Sequence, residues 1–244
     1  MEKEECVKES YQAYMDRIRG LVCIRACFPP EYECLVTSSG LNQKFHESGT
    51  FRCFYGDTVV FLLPESMRYY LGNIQDSLYH VAGKILSDRL PEGSLHITLH
   101  DLSSAPEYQA IKTELGSHQQ QIQGKLPYVN SRGILHLRAK GMVSMVSSSI
   151  VMLFEPAYEK DHDRIQDMYT CIEEVCHLPY PLTLHCTLAY YKPGMYSPKE
   201  WNGLYRFISQ WNDQNKEGKL FAVDSGRIQY QFFRSMREYI DISV

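Results

Sequence analysis

LHITL (95–99) and LHCTL (184–188) are one five-residue pattern written twice in a chain of 244 residues. Side chains two apart on a β-strand point to the same face. Each stretch therefore turns apolar residues (Leu95, Ile97, Leu99; Leu184, Cys186, Leu188) toward a core. A histidine and a threonine look the other way, His96 with Thr98 and His185 with Thr187. With nine histidines and eight threonines in the chain, chance supplies roughly 0.3 His-x-Thr patterns. Two of them on strand-like runs call for a repeat in the surrounding sequence.

The surrounding sequence does repeat. TVVFLLP (58–64) is a β-branched, apolar run closed by proline, and SIVMLFEP (149–156) is another. Each precedes a stretch with apolar residues at helical spacing, 66–87 and 157–177. Each helix leads to a His-x-Thr strand, 32 residues after Pro64 in the first pass and 29 after Pro156 in the second. A further helix follows each strand. The first covers 105–124 with Pro106 in its opening turn; the second covers 198–215, capped by Ser197 with Pro198 at its first position. ILHLRAKGMVSMV (134–146), with Gly141 at a turn or bulge, and KLFAVDSGRIQYQFF with REYIDISV supply the remaining strands.

This order predicts an α+β fold of two pseudo-symmetric lobes from a β-α-β-α-β duplication. Antiparallel sheets would carry helices on their outer faces and enclose a central cleft. The lobes are expected at about 58–146 and 149–244, together one bilobal domain over 58–244. Residues 1–57 lie outside the repeat: an amphipathic helix over 3–19, then a lead-in whose GTFRCFYGDT (49–58) can fold over the cleft, with Phe54 and Tyr55 as lid or core residues.

Composition narrows the partners. A formal net charge of −4 argues against electrostatic capture of a long nucleic acid, whose binding rests on many cation–phosphate contacts. A small phosphorylated substrate needs only a few local cations. MEKEECVKES at the start has no apolar signal region, and no run is long enough to span a membrane. Eight cysteines without a CxxC pair fit reduced thiols in a cytoplasmic protein.

Two LHxTL strands in a duplicated β-α-β-α-β chain resemble the 2H phosphoesterase superfamily, which includes the LigT-type RNA cyclic phosphodiesterases and the eukaryotic cyclic phosphodiesterases. The likeness covers about residues 50–244, and the lead-in GTFRCFYGDTVVFLLP is similar to a bacterial subgroup of it. The resemblance implies a cleft between two lobes, with His96 and His185 catalytic and the hydroxyls of Thr98 and Thr187 on the phosphate.

The chemistry leads to the same residues. Two imidazoles that titrate near neutrality divide proton transfer between a general base and a general acid. A hydroxyl two residues from each shares its face and can donate to non-bridging phosphate oxygens. The substrate expected is a 2′,3′-cyclic phosphate or 2′-linked phosphodiester of a nucleotide, oligonucleotide or RNA end, hydrolysed without metal or other cofactor. A nucleotide- or RNA-binding module without turnover is the alternative. Tyr191, on the parity of His185 and Thr187, is the candidate to stack on a base. His100 shares the parity of His96 and is expected at the cleft rim or in a structural role; a zinc site using both is disfavoured by the roughly 13 Å between strand positions four apart. Arg138, Lys140 and Arg227 are the candidate phosphate cations.

Overall fold

The computed structural model describes residues 8–22 and 27–243, so the start of the expected 3–19 helix lies outside the described residues. The described helix α1 (Tyr11–Val22) is followed by β1 (Leu35–Val36), α2 (Leu41–Lys44), β2 (Tyr55–Leu62), α3 (Glu65–Ala82), β3 (His96–Ala105), α4 (Tyr108–Asn130) and β4 (Ile134–Met145). The second half continues with β5 (Ser149–Pro156), α5 (Glu159–Glu173), β6 (His185–Tyr190), β7 (Met195–Tyr196), α6 (Pro198–Gln214), β8 (Lys219–Asp224), β9 (Ile228–Ser235) and β10 (Glu238–Asp241). The expected α+β architecture is present. Two four-stranded antiparallel sheets, ordered β10-β9-β2-β3 and β6-β5-β4-β8, meet where the edge strands β3 and β6 approach each other.

The elements follow from local sequence. The proline-closed runs β2 and β5 sit inside their sheets and are buried on both faces, which is why they read as nearly continuous apolar stretches. α6 opens on the expected cap: the Ser197 backbone N–H donates to Glu200 at 2.8 Å, Ser197 accepts from the backbone of that same residue, and Pro198 stands where its missing N–H is harmless. α4 begins later than expected, because β3 runs on to Ala105 and leaves Pro106 at the strand–helix junction. It also runs further, carried by Ile122, Leu126 and Val129 on its buried face.

The division of the lobes differs from a cut near residue 147. β4 pairs with β5, not with the strands of its own half, and β9 from the end of the chain pairs with β2. Met145 lies opposite Ser149, and so short a connection can join only antiparallel neighbours. That hairpin draws β4 into the second sheet, and β9 takes the vacant place beside β2. The helices interleave likewise. α3 packs on α6 and β6, whereas α5 packs on α4 and β3. Among the described residues no helix is long and apolar enough to cross a membrane.

Candidate active site

The two motif strands occupy equivalent places. His96 lies opposite Leu62 and Thr98 opposite Val60 on β2; His185 lies opposite Leu153 and Thr187 opposite Val151 on β5. His96, Thr98, His185 and Thr187 all line one cleft of about 750 Å³ between the sheets. The strands are close enough that the His96 backbone meets the sulfur of buried Cys186.

Each imidazole is held in the same way. His96 Nδ1 lies 2.8 Å from the Ser94 carbonyl and His185 Nδ1 lies 2.7 Å from the Thr183 carbonyl. A carbonyl oxygen only accepts, so each Nδ1 carries the proton and each Nε2 is left to gain or lose one. The ring of Tyr239 stands edge-on to His96, with centroids 4.6 Å apart. Burial pushes the His96 pKa below the ordinary histidine value, against the Ser94 carbonyl and the Asp101 carboxylate, which favour the charged ring. Burial also lifts the Tyr239 phenol well above the usual tyrosine range, so it stays protonated.

Beyond each threonine the strict alternation fails. On β3, Val60 pairs with Thr98 but Val59 with His100; on β6, Val151 pairs with Thr187 but Ile150 with Ala189. An extra residue, Leu99 in one strand and Leu188 in the other, makes a bulge that shifts the parity of the residues after it. Leu99 with His100 and Leu188 with Ala189 are accordingly consecutive buried pairs. The parity expected of two residues changes as a result, and His100 takes the structural one of its two expected roles. His100 does not share the His96 face; its imidazole is buried against Tyr169 and Glu173 on α5, with Nε2 3.2 Å from the Glu173 carboxylate. Tyr191 is not a cleft residue; it is fully buried, and its hydroxyl donates to Ser144 at 2.9 Å.

The bulges bring Asp101 and Tyr190 to the cleft instead. Burial raises the Tyr190 phenol to about 12 while the Thr187 hydroxyl hydrogen-bonds it. Its O–H is 3.5 Å from the Met236 sulfur. Lys44, at the end of α2, also lines the cleft with its Nζ 5.0 Å from the centre of the Phe54 ring. Phe54 is buried and stacks on Phe233, while Tyr55 stacks on Phe232 at the far end of β2. Lys44 is the cation that sequence reasoning missed, since nothing in LNQK marks it. The strand cations are elsewhere: Arg138 and Lys140 face Glu155 and the backbone at 216–217, and Arg227 is exposed.

No protein-family profile and no curated protein matches the chain. Among solved structures it is similar to the conserved protein of unknown function ATU0111 from Agrobacterium tumefaciens, with a TM-score of 0.65 at 14% identity over 84% of this chain and 91% of that one. The two share a fold. Weaker similarities reach TT0787 of Thermus thermophilus (TM-score 0.44, 17% identity, 72% of this chain and 86% of that one) and E. coli LigT complexed with 3′-AMP (0.44, 11%, 77% and 95%).

Proposed function

We propose that this chain is a 2H-type phosphoesterase that hydrolyses a 2′,3′-cyclic phosphate or a 2′-linked phosphodiester of a nucleotide or RNA end without a metal ion. One observation carries the reading: both motif histidines have Nδ1 tied to the carbonyl two residues back, and both line the cleft with a threonine on the same face. On a cyclic phosphate, Nε2 of one imidazole takes a proton from water as the water oxygen bonds to phosphorus. The bond from phosphorus to one ribose oxygen breaks, and Nε2–H of the second imidazole protonates that oxygen. The product is a nucleoside monophosphate. Thr98 and Thr187 donate to the non-bridging oxygens, where charge grows in the transition state. Tyr190, in the place expected of Tyr191, offers an aromatic surface at the end of the second motif strand.

The test is product formation from 2′,3′-cyclic nucleotides and 2′,5′-linked dinucleotides with EDTA present throughout. Turnover that survives the chelator supports the reading. Tight binding of these compounds with no turnover by the folded protein transfers it to a nucleotide-binding module, and activity that returns only with added zinc overturns the metal-independent scheme.

A further inference from the structure

Lys44 stands apart from the groups the motifs supply. It comes from the lead-in before the repeat, and its ammonium lies 5.0 Å from the centre of the Phe54 ring and 6.0 Å from that of Tyr190. Among the described residues no carboxylate or carbonyl hydrogen-bonds this ammonium. The negative charge acting on it is Asp101, which favours its charged form but forms no ion pair with it, while burial disfavours that form. A half-buried cation set over two rings, with no hydrogen-bonded partner, lacks the compensation that buried charges ordinarily find. An anion entering the cleft supplies it.

The phosphate under attack already has two imidazoles and two hydroxyls. Asp101 and Tyr190, the strand residues nearest in influence to Lys44, each lie three positions beyond a motif threonine. With the bulge between, each interval covers two positions of the partner strand, Val60 to Thr58 and Val151 to Ser149. At the rise of a β-strand that is about 7 Å, more than one phosphate spans and within the length of one nucleotide. We infer that Lys44 holds a second phosphate ester on the same substrate, so that the cleft is built for a small, doubly phosphorylated nucleotide with the aromatic rings of Phe54 and Tyr190 beside that second group. The inference rests on the phosphoesterase reading of this cleft. Lysine suits the task as a compact point charge for a phosphate.

The decisive measurement is calorimetric binding by the full chain of adenosine 3′-monophosphate and adenosine 3′,5′-bisphosphate, for wild type, Lys44→Met and Lys44→Arg. Wild type is expected to bind the bisphosphate at least about tenfold more tightly, as one charge-assisted contact to phosphate allows. Lys44→Met equalises the two affinities and Lys44→Arg restores most of the difference. On a 5′-phosphorylated 2′,3′-cyclic nucleotide, the loss in Lys44→Met falls on KM rather than kcat. Equal affinities in wild type overturn the inference and leave the phosphoesterase reading standing. Parallel weakening of both ligands in Lys44→Met also overturns it, by placing Lys44 on the scissile phosphate. If neither nucleotide binds any of the three folded proteins, the phosphoesterase reading falls and this inference falls with it.

Discussion

β3 and β6 are alike through the threonine and unlike after it. Both pair antiparallel to a buried strand, both hold the histidine through a carbonyl two residues back, and both bulge at the leucine after the threonine. Past the bulge, β3 places His100 under α5 and Asp101 at the cleft, whereas β6 places Ala189 in the core and Tyr190 at the cleft. The repeat preserves the geometry of the histidine and threonine, while the next two positions differ. One strand gains an ionisable anchor and a carboxylate; the other gains close packing and an aromatic surface. The cleft is thus symmetric at the two imidazoles and two threonine hydroxyls and asymmetric beyond the bulges.

The equivalence of the two strands is tested hardest at the histidines. His96→Ala and His185→Ala are each expected to reduce turnover by roughly 10²–10⁴-fold, and the double variant loses little more than the worse single one, because residues acting as a unit are non-additive. Steady-state kinetics on proteins matched by thermal melt measure this. A single variant that keeps near-wild-type turnover shows that the two strands are not equivalent. Thr98→Ala and Thr187→Ala come next, at about 10–10³-fold. The Thr187 substitution also removes one hydrogen-bond partner of the Tyr190 hydroxyl, leaving it the Met236 sulfur, so its loss should divide between kcat and KM while that of Thr98 falls on kcat.

The positions after the bulges are expected to affect stability more than chemistry. His100→Ala removes one of several hydrogen-bond partners of a largely buried carboxylate and should destabilise by about 1 kcal/mol, measured by urea denaturation, with turnover within about tenfold of wild type. Removing the corresponding Ala189 side chain has no such partner to expose. Tyr191→Phe loses one buried hydrogen bond, worth about 1 kcal/mol of stability, and leaves the kinetics alone; Tyr190→Ala should raise KM. A reversed outcome for this pair restores the unbroken alternation of the strand.

The smallest effect is the pH dependence of folding. Burial lowers the pKa of both His96 and His100, so the unfolded chain binds protons that the folded chain does not. Their contribution is complete above the ordinary histidine value of about 6.5 and fades as pH falls toward the lowered folded values. Glu173 acts in the same sense at lower pH: burial alone would raise its carboxyl, but hydrogen bonds from Tyr169, Leu178, His177 and His100 hold it below the ordinary glutamate range. Its contribution is present above the unfolded value and lost as pH falls through the folded one. Melting temperature should therefore fall between pH 7.5 and 5.5, less steeply in His100→Asn. A flat profile separates these imidazoles from the folding equilibrium.

The element order, the duplication, the α+β class and the four residues His96, Thr98, His185 and Thr187 are legible in the chain alone, because periodicity, proline closure and short motifs are local properties. The place of Tyr191, and the face that His100 takes, lay beyond that reach for one reason. Their alternation with the motif histidines is perfect along the chain, and only the pairing of β3 with β2 and of β6 with β5 inserts the bulges that turn them inward. The exchange of β4 and β9 between the sheets has a similar cause: a tight hairpin overrides the boundary that the repeat suggests. Lys44 carries no local signal at all. Its place over Phe54 and Tyr190 exists only once the lead-in has folded across the end of both strands, since a charge acquires its meaning from the rings and carboxylates that tertiary structure sets around it.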